Sequence, residues 1–492
     1  MLRSSQKVPY YARLYGELRH AILSGDRAPG SRVPASRSLA SALGVSRNVV
    51  LAAYDQLVAE GYLVGRRGSG MYVTSTLPDP HFGKTGRAAR EPVGAEPPRL
   101  SAYGRRAGEA ADPINVPASG GVPLTYDFRY GRTDVDPISL EAWRRLLARE
   151  SAKPALDYGQ PEGRLELRRA LATYLRQNRA VECDPDRVMV VTGSQQALDL
   201  SIRVLLDPGD TVVLEDPHYQ GARRAFAAAG ARLATVPVDA HGFDPSRLAR
   251  IRKPRLMYVT PSHQFPTGTV LPLARRLTLL DWARRHRCHL IEDDYDSEYR
   301  YEGKPIEAVQ ALDHEGLTVY TGTLSKVLFP ALRIGYLVLP TSLVQPFVGA
   351  KWLADRHTPT LGQLTLARFL MDGHFERHLR RSRRRFGLRR EALLDALHHE
   401  LGERVEVADS GAGVHMVAWL PDLTAADMPE LIARAAALDV GLYSIAPYYH
   451  RAPTCPGLLF GFASLTERDI QAGVRRFARA LSAHAVQSSG PR

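Results

Sequence analysis

Cysteine is scarce in this 492-residue chain: only Cys183, Cys288 and Cys455 occur, far apart, with no CxxC pair. Three scattered thiols exclude a disulfide framework, and without His/Cys clustering at ligand spacing no metal is expected. Such thiol use fits a reducing cytoplasm. Long apolar runs are missing too. The opening MLRSSQKVPYYARLYGEL has no signal-peptide core, and nowhere do about 18 apolar residues run uninterrupted, so neither secretion nor membrane insertion is expected. What the chain has in excess is positive charge, a net +13 that is unevenly placed. Residues 1–76 hold ten Lys/Arg against four Asp/Glu. A basic N-terminal unit points to a polyanionic partner, although a solvated basic surface explains the same count until a motif is found. Length and 44% hydrophobic content predict two or three domains with separate cores.

Residues 8–76 read as three helices and a hairpin. Leu14, Leu18 and Ile22 recur at helical spacing, and the Gly/Pro-rich GDRAPGSRVP breaks the pattern. SRSLASALGVSRNVVLAAYDQLVAEG then gives two helices joined at Leu43-Gly44-Val45, with Ser36 and Ser46 as expected N-caps and Gly61 closing the second. Two helices around a short glycine turn match a helix-turn-helix, whose second helix enters the major groove. YLVGRRGSGMYV follows. Its Gly-x-x-Gly-x-Gly lies between strands rather than opening a helix, so it reads as a hairpin wing, with Arg66 and Arg67 at the tip to meet phosphate or the minor groove.

Residues 77–124 carry eight Pro and seven Gly with almost no apolar periodicity, the composition of a flexible linker. From 125 to 485, short β-branched runs (RVMVV, TVVLED, RLMYV, HLIEDD, LTVYTG) alternate with Ala/Leu/Arg-rich helical stretches. That alternation predicts an α/β domain with a largely parallel sheet, whose ligand sits at the carboxyl ends of the strands.

The polar residues worth noticing cluster at those ends. A bound pyridoxal phosphate needs a lysine for its aldimine, an acid at the pyridine nitrogen, a phosphate cradle and a donor to the phenolate oxygen. TGSQQAL opens a helix after RVMVV, so the amides of Ser194 and Gln195 are placed to hold phosphate. Asp293 ends HLIEDD and suits the pyridinium, Tyr295 suits the phenolate, and Tyr219 in DPHYQG offers a ring face. Ser325-Lys326 follows LTVYTG, and Arg333 stands seven residues on as a bidentate phosphate donor. Singly each has a bland reading: a solvated lysine, a cap aspartate, a core tyrosine, a surface arginine. In this order, each at a strand end, they point to one cofactor.

These residues carry a resemblance. Residues 125–485, with Asp-x-Tyr at a strand end and then SK, six intervening residues and Arg, resemble the class I aminotransferases of fold type I. Residues 8–76 resemble the GntR winged helix, through GxxxPxSRxLAxxLGVSRNxVxxAYxxLxxEGYL. Together with the linker they resemble the MocR/GabR transcriptional regulators over nearly the whole chain. The resemblance implies an N-terminal α+β winged helix-turn-helix and a pyridoxal-phosphate transferase fold, with a mixed, mostly parallel sheet and a small C-terminal subdomain. It implies that Lys326 is the Schiff-base lysine, Asp293 the pyridinium partner, Tyr295 the phenolate donor, Arg333 the phosphate arginine and Tyr219 the stacking ring. PSHQFPTG matches the family's strand-end turn, which would bring His263 or Gln264 to the cofactor. It further implies a head-to-tail homodimer in which Tyr158 of DYGQPEG reaches the partner's phosphate site. Arg37, Ser46, Arg47 and Asn48 match groove-contacting positions.

One position departs from the pattern. Relatives that bind an amino acid place a carboxylate-binding arginine in a late Arg-(Leu/Ile)-(Gly/Ser)-Phe run, where this chain has LLFGFASL and Leu459. Either another arginine substitutes, or the effector is not a simple amino acid, pyridoxal phosphate itself being one alternative. Two further features take bland readings. RHLRRSRRRFGLRR reads as a solvated or dimer-facing helix rather than a second DNA contact, and His398-His399-Glu400 as surface rather than a metal site. The expected protein is a cytoplasmic, nucleoid-associated regulator that binds operator DNA and senses an amine or pyridoxal phosphate at Lys326. A working aminotransferase with a DNA-binding appendage is the alternative, and a cofactor-free scaffold the third.

Overall fold

The computed structural model describes residues 9–75, 99–110, 123–152, 157–303, 306–408 and 411–488. The chain divides into two units, Met1–Arg99 and Leu100–Arg492. In the first, helices α1 (Tyr10–Leu23), α2 (Ser36–Leu43) and α3 (Arg47–Ala59) precede an antiparallel hairpin of β1 (Leu63–Arg66) and β2 (Gly70–Val73). Leu14, Leu18 and Ile22, one stripe of α1, pack on Val50, Ala53 and Leu57 of α3 and on Leu63 and Val73 of the hairpin. Gly44 ends α2 in the left-handed region, φ 63°, which turns the chain into α3. Ser46 occupies the N-cap of α3, but at α2 that place belongs to Ala35, with Ser36 the first helical residue. The Ser36 hydroxyl instead accepts a hydrogen bond from Arg47 Nε at 3.3 Å, joining the starts of the two helices.

The second unit opens with α4 (Ala102–Glu109), β3 (Tyr126–Asp127), α5 (Pro137–Ser151) and α6 (Leu165–Arg179). Next come β4 (Val188–Val191), α7 (Ser194–Leu205), β5 (Thr211–Asp216), α8 (Gln220–Ala229), β6 (Arg232–Asp239) and β7 (Gly242–Phe243). Then follow β8 (Pro254–Val259), α9 (Leu273–His286), β9 (His289–Asp294), β10 (Thr318–Thr323), β11 (Gly335–Val338), α10 (Val344–Asp355) and α11 (Thr360–Met371). The end is built from α12 (His374–Leu401), β12 (Glu406–Ala408), β13 (His415–Trp419), α13 (Met428–Ala437), β14 (Val440–Gly441), β15 (Gly457–Gly461) and α14 (Glu467–Ser488). The main sheet has the order β4-β11-β10-β9-β8-β5-β6-β7. Strands β10, β9, β8, β5 and β6 are parallel, while β11 and β7 run against their neighbours. A small antiparallel sheet, β12-β13-β15, forms the C-terminal subdomain.

Part of the stretch read as linker is ordered structure. Helix α4, capped by Ser101 Oγ on Gly104 N, is fastened to α8: Arg106 Nε donates to the Ala228 carbonyl at 2.8 Å, and Arg224 Nη1 to that of Ala110 at 2.9 Å. These anchors are polar, one arginine from each helix to a backbone carbonyl, so apolar periodicity could not announce them. The rest of 77–124, apart from 99–101, 110, 123 and 124, lies outside the described residues. The arginine-rich helix also differs from a solvated face. Arg381 binds Asp136, Arg385 and Arg389 bind Asp134, and Arg390 binds Glu302, with Arg389 and Arg390 buried. Most of that charge fastens α12 to its own unit.

Candidate cofactor site

Strand alternation decides which acid of HLIEDD faces the ligand. Glu292 and Asp294 point to one side of β9, where Glu292 accepts from Val309 N and Gln310 N, and Asp294 pairs with Arg179 at 2.8 Å. Asp293 points to the other. There it lines a cavity of about 400 Å³ together with Tyr130, Ser194, Tyr219, Tyr258, Phe265, Tyr295, Thr323 and Lys326. Parallel strands β8, β9 and β10 end at the same level, and Ser194 opens α7 just beyond β4, so side chains distant in sequence converge there.

Lys326 is partly buried, its Nζ 4.4 Å from the centre of the Tyr130 ring. Gly131 beside it has φ +88°, a backbone conformation that favours glycine, and a Cβ there would lie 2.7 Å from Nζ. Burial pushes the Lys326 amine down to about 8, against the opposing pull of Asp296 and Asp293. Burial likewise lifts the Asp293 carboxyl to about 7, although Tyr258 donates to its Oδ2 at 2.7 Å. Asp293 Oδ1 is buried with no hydrogen-bond partner, and the Ser325 hydroxyl is in the same condition. A pyridinium N–H would satisfy the first.

At the other end of the cavity, Gly193 precedes α7 at φ +114°, and a Cβ on it would meet Arg333 Nη2 at 3.1 Å. The guanidinium thus stands at a helix N-terminus whose first amides have no intrahelical partner, a cradle for phosphate. Gln195 sits in that first turn with its side chain turned outward to the Gly221 carbonyl at 3.3 Å, so any contribution to phosphate is through its backbone.

The structure places Phe265, rather than His263 or Gln264, on the cavity wall. Gln264 holds its own turn: Nε2 donates to the Pro217 and Phe265 carbonyls, and Oε1 accepts from Thr267. His263 lies behind Tyr295, its Nδ1 3.1 Å from the phenolic oxygen and 3.0 Å from Asp296 Oδ1. The His415 ring lies 4.9 Å from that of His263, and its Nε2 donates to the Pro266 carbonyl. His263, Asp296 and His415 bring three donor atoms within 4.8 Å of one another, a buried group that sequence spacing did not join. Tyr158 is 77% exposed and packs edge-on to His357, away from this chain's own cavity.

Tyr130, Tyr258, Phe265 and Thr323 escaped the sequence reading. Thr323 and Tyr258 carried a usable signal, since each stands at or next to the end of a parallel strand. Tyr130 carried none, because its position depends on residues 128–132 being held, after β3, against Gly441 and Gly461 of the C-terminal part.

A model of aminotransferase class I and II matches residues 126–477, and one of bacterial regulatory proteins of the gntR family matches residues 10–73. The chain belongs to the aminotransferase class I and II family, in its GntR-fused, MocR-type regulator branch. It is 37% identical, over 98% of its length and 95% of the relative's, to the probable rhizopine catabolism regulatory protein MocR of Rhizobium meliloti. To the pyridoxine biosynthesis transcriptional regulator PdxR of Corynebacterium glutamicum it is 32% identical, over 92% of each chain. Among solved structures, the Thermus thermophilus alpha-aminoadipate aminotransferase LysN, complexed with N-(5'-phosphopyridoxyl)-L-leucine, superposes with a TM-score of 0.69 at 32% identity. That match covers 79% of this chain and all of LysN. The cofactor of the MocR-type unit is pyridoxal phosphate, which the donor set fits, and the winged helix makes the chain a DNA-binding transcriptional regulator.

In the winged helix, Arg37, Ser46, Arg47 and Asn48 are all exposed around the start of α3. Arg66 and Arg67 are exposed at the hairpin tip, Arg66 lying 4.5 Å over the Tyr72 ring. Among the described residues no helix is long and apolar enough to cross a membrane.

Proposed function

We propose that a primary amine reaching Lys326 changes the DNA-bound arrangement of this regulator. The reading is supported by one chain carrying both a cavity lined by Lys326, Asp293, Tyr295 and Ser194 and an exposed basic helix start. Pyridoxal phosphate, when bound, supplies an aldehyde that an amine exchanges onto and a ring that withdraws electrons. The chain's own residues do the rest. Lys326, its pKa lowered to about 8, offers more neutral amine near neutral pH than an ordinary lysine, Asp293 keeps a proton at the pyridine nitrogen, and Tyr295 donates into the cavity. Arg333 and the α7 N-terminus hold the phosphate. Arg37, Arg47 and Asn48 read or grip the major groove, with Ser46 beside them, while Arg66 and Arg67 take the flanking phosphates or minor groove. The exposed Tyr158 supports a head-to-tail homodimer in which it completes the partner's phosphate site. The work is then done in the cytoplasm, on the nucleoid.

Operator affinity of the cofactor-loaded protein, measured with and without amine at fixed salt, tests this. The amine should shift the affinity, and Lys326→Ala should abolish the shift while leaving cofactor-free DNA binding unchanged. Arg47→Ala should weaken operator binding and flatten its steep fall with salt. Likeness to an aminotransferase over the whole cofactor unit favours a second reading, a working transaminase localised on DNA. Sustained turnover of an amino donor with a keto acid at ordinary enzyme rates would establish that reading instead.

A further inference from the structure

The cavity's own chemistry limits what the amine can be. Of its lining residues, five are aromatic, Tyr130, Tyr219, Tyr258, Phe265 and Tyr295, and Lys326 is the one cation. Behind Phe265 and Tyr295 the wall continues as Val417, Ile445, Tyr448 and Leu459, a single buried apolar cluster. Leu459 on β15 faces Val417 on β13 in register and is 1% exposed. The carboxyl groups on this side are Asp293 in the lining and Asp296, 1% exposed and held by His263. The nearby arginines are committed elsewhere. Arg333 stands against Gly193 at the phosphate end, while Arg129 is held by Tyr443 at 2.9 Å and Asp127 at 3.6 Å, and Arg132 by Asp127 at 3.0 Å.

A carboxylate carried in on the effector would therefore lose its water against aromatic rings and leucine, with no guanidinium among the lining residues to pair with it. Burying an unpaired anion is strongly unfavourable, whereas a neutral alkyl, aryl or hydroxylated group gains from the same wall. Resting on the Lys326 reading above, we infer that the effector is a primary amine whose remainder carries no carboxylate.

Matched pairs that differ only by a carboxylate isolate this claim: phenylalanine and phenethylamine, leucine and isoamylamine, alanine and ethylamine. Each is titrated into the cofactor-loaded full-length protein, with the bound cofactor's absorbance as one readout and operator affinity as the other, on free-base concentration. Each simple amine should half-saturate at least about tenfold below its amino acid, equivalent to about 1.4 kcal/mol. Amino acids that match or surpass their amines would overturn the inference, an arginine lent by the partner subunit being one cause. If no compound of any pair moves the absorbance of a coloured protein, the inference also fails, while the regulator assignment stands. A protein that never takes up the cofactor fails the Lys326 reading itself. Leu459→Arg should reverse the order within pairs, and a folded Leu459→Arg protein with the order unchanged counts against the inference. Should that variant not fold, the wild-type pairs decide.

Discussion

Lys326 sits where its neighbours, rather than its own chemistry, make it reactive. With its amine pushed down from 10.5 to about 8, roughly a tenth of it is the reactive free base at pH 7, far more than an ordinary lysine offers. The rate at which cofactor-free protein takes up pyridoxal phosphate should rise about tenfold per pH unit below 8 and level off above it, followed by stopped-flow absorbance. Tyr258, one residue from the end of β8, works through Asp293. Its hydroxyl is the side-chain donor to Asp293 Oδ2, so Tyr258→Phe leaves a carboxylate that must carry the pyridinium with one partner fewer. Loss of a hydrogen bond to a charged group is worth about 1.5–3 kcal/mol, so cofactor affinity should fall at least about tenfold by equilibrium titration. Asp293 and Lys326 were legible because each ends or follows an unmistakable strand. Tyr130 was not, because a tyrosine away from any strand end reads the same whether it packs in a core or walls a cavity.

Elements show the same division. Strands β4, β5, β8, β9 and β10 stand where the β-branched runs placed them, and α7 begins at the Ser194 expected for a phosphate-binding start. Turn chemistry marks that helix start: Gly193 at φ +114° holds a backbone conformation that favours glycine, and a Cβ there would crowd Arg333 at 3.1 Å. Gly193→Ala should strain the backbone by about 1–3 kcal/mol and displace the guanidinium, weakening cofactor retention on gel filtration more than it lowers thermal stability. Helix α4 was hidden. Two arginine-to-carbonyl bonds hold it to α8, and neither leaves a mark on hydrophobic period. The turn at 263–265 was half legible. Its motif was recognised, but only side-chain packing turned Gln264 inward to its own loop and Phe265 out to the cavity.

On the scale of the whole molecule, buried acids couple stability to pH. Burial raises Glu215, Glu292 and Asp293 each to about 7, so between about pH 4 and 7 the folded chain binds protons that the unfolded chain has released. Their contribution is full below about pH 4 and is lost as pH rises through 7. Asp136, held down to about 2 by Arg381 and Ser139 in spite of its burial, titrates below that window. The melting temperature of cofactor-free protein should therefore fall by a few degrees from pH 5 to pH 8, with a smaller fall once pyridoxal phosphate gives Asp293 a pyridinium to pair with; differential scanning calorimetry reads both. The sequence by itself determined the two units, the strand–helix alternation and the lysine, aspartate and arginine of the cofactor. These depend on local spacing and turn chemistry, which a linear chain displays. Only the tertiary structure decided the aromatic wall, the Asp296–His263–Tyr295 contact, the α4 anchor and the apolar surroundings of Leu459. Each joins segments between about 30 and 330 residues apart, whose proximity arises from sheet order and packing rather than from any pattern along the chain.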